Sequence, residues 1–436
     1  MNARGNDWYR LDNAAKIYPV LPSERFTHVF RVSATLNELV VPSILERAIE
    51  ELRSRFPSFF VQLRHGLFWY FFEKNDRKVI VKKESPIICE NIKRYNNNRY
   101  YFTFFYYQNR ISMEVFHALS DGDGAIQFLK AVIKQYLILV HDLNLTDETI
   151  FSVGEVPHFL EFSDCYEGNY KPSKKVKYPT PKAYLLKEKH IPVRACGVIN
   201  STIPTDQLLR LAKKQNVTIT QLVAGLLIYS AYTITEHKNF KKKVLSITIP
   251  INLRPFYHSQ TLRNFSLYFY TTFKPTNEIP DLKEILSKVK QDFTEELVPE
   301  RIQNRLNNIV RLSKSYLVRI IPLPIKMLIF KIAYVYYGKK PSTMTFSNFG
   351  QITMPDELKP YVKSFTFNLG SGLKPAVALN SYNGMTKIIF SRAFIDTRLE
   401  RTFFTYLTSM GLDVEIESNF LEHNFGKQND GGQNGL

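Results

Sequence analysis

The sequence predicts a mixed α/β protein built as two halves joined by a basic linker. Hydrophobic residues make up 44% of the 436-residue chain and charged residues 22%, the balance of a globular protein with a substantial core. Short strands and amphipathic helices alternate on both sides of the middle of the chain. Between the two runs, Lys171–Arg194 carries eight Lys or Arg against one acid, Glu188, together with Pro172, Pro179, Pro181 and Pro192. Proline and like charge disfavour a packed element there. The expected division is a first half over 1–170, a linker over 171–195, a second half over 196–425, and a polar, Gly-rich tail over 426–436 expected to be disordered.

In the first half, Phe26–Ala34 alternates apolar and polar residues and reads as a strand. Pro42 opens a helix to Phe56, where Ile44, Leu45, Ala48, Ile49 and Leu52 recur at helical spacing. Phe59–Arg64 and Leu67–Glu73 read as strands of a hairpin turning at His65-Gly66. Val79–Lys82 and Tyr100–Tyr107 are further strands. Ile111, Met113 and Val115 alternate with Ser112, Glu114 and Phe116, and His117 continues the apolar face. A loop, Ser120 to Gly124, then separates this strand from a helix marked by Ile126, Leu129, Ile133, Tyr136, Leu137 and Val140.

In the second half, Pro204–Lys214 and Thr218–Tyr232 read as helices, the latter with Thr218 and Gln221 in a capping-box pattern. Val244–Ile249 and Phe265–Phe273 read as strands. Leu282–Leu297, Arg301–Leu317 and Ile325–Tyr337 read as helices. Strands return at Ser364–Leu369, Ala376–Ser381 and Lys387–Arg392, before a helix near Glu400–Met410.

Composition excludes several function classes. The only cysteines, Cys89, Cys165 and Cys196, are far apart and form no CxxC pair, which argues against a disulfide scaffold, a zinc ribbon and a thioredoxin-type centre. A reducing, cytoplasmic setting is the expectation. Neither GxGxxG nor GxxxxGKS occurs. The N-terminus has no apolar signal core. Arg319, Pro322, Pro324, Lys326 and Lys331 interrupt the apolar run Ser315–Gly338, so no membrane-spanning helix is expected. The net charge of +18 favours anionic partners. Tyr100–Tyr107 is aromatic but lacks the basic and glycine pattern of an RNA-binding strand, so nucleic acid is not expected. Ser313–Lys340, apolar and basic together, makes peripheral contact with a membrane the second expectation for that charge.

The chemistry concentrates in Phe116-His117-Ala118-Leu119-Ser120-Asp121-Gly122, an HxxxDG motif at a strand–loop–helix junction. A neutral imidazole takes up a proton near neutral pH, which few side chains do well. Asp121, after a tight turn, is placed to hold the loop. Gly122 permits close backbone approach or an unusual φ. Asp123-Gly124 reads as loop shape. The competing reading is a core histidine at a strand end.

HxxxDG is the signature of acyltransferases with a chloramphenicol-acetyltransferase-like fold, a superfamily that includes BAHD enzymes, wax ester synthases and condensation domains. Over nearly its full length the chain resembles the alcohol acetyltransferases of that superfamily. The matching stretches are Leu11–Pro19, Gly66–Tyr70, Ile251–Pro255, Leu262–Phe265 and Ser347–Gly350. Phe116 replaces the first His of the HHxxxDG usual in condensation domains, and the BAHD motif DFGWG is absent.

The resemblance implies two α/β halves facing each other across a solvent channel, with His117 at the seam as general base. It implies transfer of an acyl group from a CoA thioester to an alcohol, with acyl-CoA as co-substrate, no permanently bound cofactor and no metal. Asp121 is then structural and pairs with an arginine, Arg254 first and Arg392 second. Asn252 stands beside Arg254 in the same stretch. Asn348 and backbone amides near Gly350 are the candidate oxyanion donors. Lys174, Lys175 and Lys177 are candidate contacts for the CoA phosphates. Two alternatives stay open: a carrier-protein thioester or an amine acceptor, and a non-catalytic acyl-thioester-binding protein. Neither half needs a partner, so a monomer is expected.

Overall fold

The computed structural model describes residues 8–20, 27–145, 147–186, 189–191, 196–235, 240, 243–276, 280–333, 341–370, 372 and 374–419. The expected tail, 426–436, lies outside the described residues. The first half runs β1 (Trp8–Arg10), β2 (Val29–Leu36), α1 (Pro42–Glu51), β3 (Val61–His65), β4 (Tyr70–Lys74), β5 (Val81–Lys83), β6 (Phe102–Tyr107), β7 (Arg110–Phe116), α2 (Gly122–His141) and α3 (Cys165–Gly168). The second runs β8 (Gly197–Pro204), α4 (Thr205–Lys214), α5 (Ile219–Thr233), β9 (Leu245–Asn252), α6 (Arg254–Tyr257), β10 (Ser266–Phe273), α7 (Leu282–Glu296), α8 (Pro299–Lys314), α9 (Tyr316–Ile320), α10 (Leu323–Ala333) and β11 (Met344–Gln351). It ends with β12 (Val362–Asn368), β13 (Ala376–Tyr382), β14 (Met385–Arg392), α11 (Arg398–Ser409) and β15 (Glu415–Ser418).

The described strands form three sheets. One is a seven-stranded mixed sheet in the order β10-β9-β11-β13-β14-β8-β15, and another a five-stranded sheet in the order β12-β2-β7-β6-β5. The third is small, with the order β1-β4-β3, and contains the expected hairpin; the Gly66 N–H donates to the Trp69 carbonyl at 2.9 Å to close its turn. β2 is buried on both faces, so its polar residues need partners inside the protein. Antiparallel register supplies them: Arg31 faces Glu114 and Ser33 faces Ser112 on β7, with an Arg31 Nη2–Glu114 Oε1 distance of 2.7 Å.

The second-half helix α5 begins at the expected capping box, in which Thr218 accepts from the Gln221 N–H and the Gln221 side chain accepts from the Thr218 N–H. Leu222, Leu226, Leu227 and Val223 of α5 lie in one core with Ile285 and Val289 of α7 and Phe403 of α11. A second core lies under α1 and α2 and extends to Ala378 and Ile389 of the seven-stranded sheet.

Four strands escape the periodicity reading: β1, β8, β11 and β15. β8 and β11 place polar residues inward. Ser201 is fully buried and donates to the Ile388 carbonyl, and Ser347 is buried as well. Hydrogen bonding to neighbouring strands replaces apolar patterning there. β12 also departs from the linear division of the chain. It follows β11 in sequence, yet it pairs antiparallel with β2 in the first-half sheet. The described residues of the linker form no helix or strand and meet the body by isolated bridges at Ala183–Val244 and His190–Phe394.

Candidate active site

β7 ends at Phe116, and the next residue projects the imidazole of His117 at the seam. The His117 N–H donates to the His28 carbonyl at 2.8 Å, which anchors the backbone at the strand end. The ring is half-buried. It stacks on Tyr18, with centroids 4.6 Å apart at 18°, and meets the edge of Phe30 at 5.2 Å. Phe30 stacks in turn on Phe367 of β12, and Phe367 on Phe349 of β11, with centroids 3.4 Å apart. One aromatic row therefore joins both halves beside the imidazole.

His117 Nδ1 lies 3.0 Å from Asn264 Oδ1, and Asn264 Nδ2 lies 3.2 Å from Asp12 Oδ2. The other Asp12 oxygen accepts from the Ala15 N–H at 2.8 Å. The Asn264 NH2 faces Asp12 and its carbonyl faces His117, the orientation an ionised Asp12 requires because a carboxylate only accepts. This network assigns the proton to Nδ1 and leaves the lone pair on Nε2. Asp12 is fully buried, and burial raises its pKa. The Arg263 guanidinium, 3.7 Å away, opposes that rise, followed by the Ala15 and Asn264 hydrogen bonds.

Asp121 caps α2 by accepting from the Gly124 N–H. The helix therefore begins at Gly122, inside the stretch expected to be a loop, because the cap lets the backbone turn helical at once. Arg254 of the second half grips Asp121 with two nitrogens, at 2.9 and 2.8 Å. The Phe265 N–H also donates to Asp121, at 2.9 Å. Arg254 further donates to the carbonyls of Thr261 and Arg263, which fixes the loop that carries Asn264. Asn252 Oδ1 accepts from the Arg254 backbone and guanidinium. Asp123, read as loop shape alone, is an ion-pair partner: its carboxylate lies 3.1 Å from Arg254 Nε. Arg392, the second choice for Asp121, lies elsewhere, beside Glu400 and the Phe394 carbonyl.

Gly122 serves close approach. A Cβ there would lie 2.2 Å from a ring carbon of Phe349 and 2.8 Å from Phe367. Asn348 is exposed; its NH2 donates to Thr220 Oγ at 2.7 Å, and its Oδ1 accepts the Gly350 N–H. That Gly350 amide, weighed as an oxyanion donor, is therefore already engaged. Lys174, Lys175 and Lys177 are exposed on a strap held to α8 by Asn307, Asn308 and Arg311.

Composition and spacing did not point to Asp12, Tyr18, His28 or Asn264. A signal existed: Asp12, Tyr18 and Asn264 fall in two of the stretches that carry the resemblance. His28 has no such mark. Burial and then the neighbouring His117 push its pKa down to about 3, so it stays neutral beside the site. Among the described residues, no group of three or more His, Cys, Asp or Glu is gathered to hold a metal ion.

Two mixed half-structures, a seam, and a strand crossing from the second half into the first define a chloramphenicol-acetyltransferase-like fold. Solved structures share it over nearly the whole chain. TRI101 from F. graminearum, complexed with coenzyme A and deoxynivalenol, superposes with a TM-score of 0.64 at 10% identity, covering 95% of this chain and 100% of that one. The TRI3 trichothecene 15-O-acetyltransferase from Fusarium sporotrichioides gives 0.60 at 10% identity, over 94% and 96%. A variant of the starter condensation domain of rhizomide synthetase RzmA, in complex with C8-CoA, gives 0.56 at 11%, over 92% and 94%. No protein-family model matches the chain, and no curated protein matches it by sequence.

Proposed function

We propose that the protein is an acyl-CoA-dependent O-acyltransferase that moves an acyl group, acetyl in the simplest case, to an alcohol. The observation that carries this reading is the chain Asp12–Asn264–His117, which holds the imidazole with its lone pair on Nε2 at a half-buried seam. An alcohol becomes a good nucleophile as its proton leaves. Nε2 takes that proton while the alcohol oxygen forms a bond to the thioester carbonyl carbon. The carbonyl π electrons move onto oxygen, and the resulting oxyanion needs hydrogen-bond donors. When the carbonyl re-forms, the C–S bond breaks, and the thiolate recovers the proton from Nε2. The products are an ester and free CoA, with the imidazole restored and no acyl-enzyme required.

Tyr18 and Phe349, the half-buried ends of the aromatic row, favour an acceptor with an apolar body. The neighbours seen with coenzyme A or C8-CoA support a CoA thioester as donor. The test is release of free thiol from acetyl-CoA by purified protein across a panel of alcohols, with amines and a carrier-bound acyl group in parallel. Alcohol-dependent thiol release is expected, and His117→Ala should lower it by about 100-fold or more with the circular dichroism spectrum unchanged. Full turnover by that variant would remove the base assignment. CoA binding with no turnover on any acceptor would favour a thioester-binding protein.

A further inference from the structure

Helix α10 is apolar on two faces, one turned in at Leu323 and Met327 and one turned out. Ile325, Leu328, Ile329 and Ile332 recur at i, i+3, i+4 and i+7, the spacing of a single helix face. On a helix packed on a protein core this stripe points inward. Here Leu328 is 60% and Ile332 50% exposed, while Lys326, on the same helix, is only 2% exposed. Its ammonium turns in, donates to the Phe68 carbonyl at 3.0 Å and stands 3.5 Å over the Trp69 ring. The Leu323 N–H donates to the Leu67 carbonyl at 2.8 Å. The lysine and the hairpin thus hold α10 with its apolar stripe facing out. Leu67 of the same hairpin and Tyr316 of α9 are exposed too, so the apolar surface extends beyond one helix. Contiguous exposed apolar surface of this kind marks an interaction site.

We propose that this face docks on a lipid bilayer bearing anionic headgroups. Charge selects that occupant. Lys314, Arg319 and Lys331 are exposed beside the stripe, and from Arg311 to Lys331 the sequence holds no Asp or Glu. An apolar stripe flanked by cations alone suits insertion at the boundary between acyl chains and acidic headgroups. A second copy of the chain would bring the same acid-free segment against itself, because a two-fold interface pairs a patch with its own kind. No described helix is long and apolar enough to cross a membrane, so the contact is with one leaflet. α10 also packs against the Tyr18–Val20 turn, whose Tyr18 stacks on His117. The helix that bears the docking face therefore adjoins the seam that receives an apolar acceptor under the reaction proposed above.

Flotation of the full chain with phosphatidylcholine vesicles, with and without phosphatidylserine, tests this. Binding should require phosphatidylserine and weaken as salt rises. The double variant Leu328→Ser with Ile332→Ser should bind at least about tenfold more weakly, since two exposed side chains lose their apolar burial in the bilayer. Its melting temperature should not fall, because neither side chain packs in the core. Lys314→Glu with Lys331→Glu should reduce the phosphatidylserine dependence and leave the melting temperature in place. Absent vesicle binding, or binding indifferent to both double variants, would overturn the proposal. So would a dimer in sedimentation that the serine variants dissolve, which would assign the face to a second copy. Vesicle binding is read without turnover, so a failed acyl-transfer assay leaves it standing.

Discussion

At the scale of single residues, the reactivity of His117 depends on a neighbour that never needs to touch substrate. Asn264 presents a carbonyl to Nδ1 only because Asp12 holds its amide the other way round. Without Asn264 the Nδ1 proton loses its acceptor and the ring is free to exchange tautomers, although Tyr18 and Phe30 still hold its plane. Asn264→Ala should therefore lower kcat by about tenfold, the equivalent of one hydrogen bond of roughly 1.4 kcal/mol, with KM for the alcohol little changed. A KM effect alone would mean that Asn264 binds substrate and does not position the base. His117 itself was legible in sequence, because a histidine extending an alternating strand into an Asp-Gly turn is a strong local pattern. Asn264 was not, because 147 residues separate it from its partner.

Among the elements, the β7–α2 junction does the positioning. The alternation of Ile111, Met113 and Val115 announces β7, and helical spacing announces α2. The helix begins three residues earlier than the expected loop allows, since Asp121 acts as an N-cap and both Gly122 and Gly124 enter the first turn. Each glycine faces the second half: a Cβ on Gly122 meets the Phe349 ring at 2.2 Å, and one on Gly124 meets the Leu262 carbonyl oxygen at 2.0 Å. Gly122→Ala should force Phe349 off Phe367 and destabilise the protein by about 1–3 kcal/mol, the usual cost of overpacking. Chemical denaturation measures it. A variant as stable as the parent would show that the aromatic row yields without cost. β8 and β11 were missed for the opposite reason: their inward polar residues erase the alternation on which strand reading depends.

Across the whole molecule, the two halves are stapled where the chemistry lies. Asp121 of the first half and Arg254 of the second form a nearly buried, two-point ion pair, and β12 crosses to lengthen the first-half sheet. Removing one member strands the other charge in a poorly solvated place. Asp121→Ala should cost about 3 kcal/mol, because Asp123 keeps part of the guanidinium's company, and thermal melting should fall accordingly. Activity should fall with it, as the Phe265 N–H and the loop bearing Asn264 lose their anchor. An unchanged melting curve would refute the staple.

By itself the sequence determined the two-half α/β architecture and the position of His117, which rest on local patterns. Arg254, 133 residues from Asp121, came ahead of Arg392 only through the resemblance. Only the tertiary structure decided which nitrogen of His117 holds its proton, that Lys326 turns in while its apolar neighbours face out, and that β12 belongs to the other half. Those outcomes depend on contacts between segments that are remote in sequence, and local periodicity carries no information about which distant hydrogen-bond partner a buried polar group will meet.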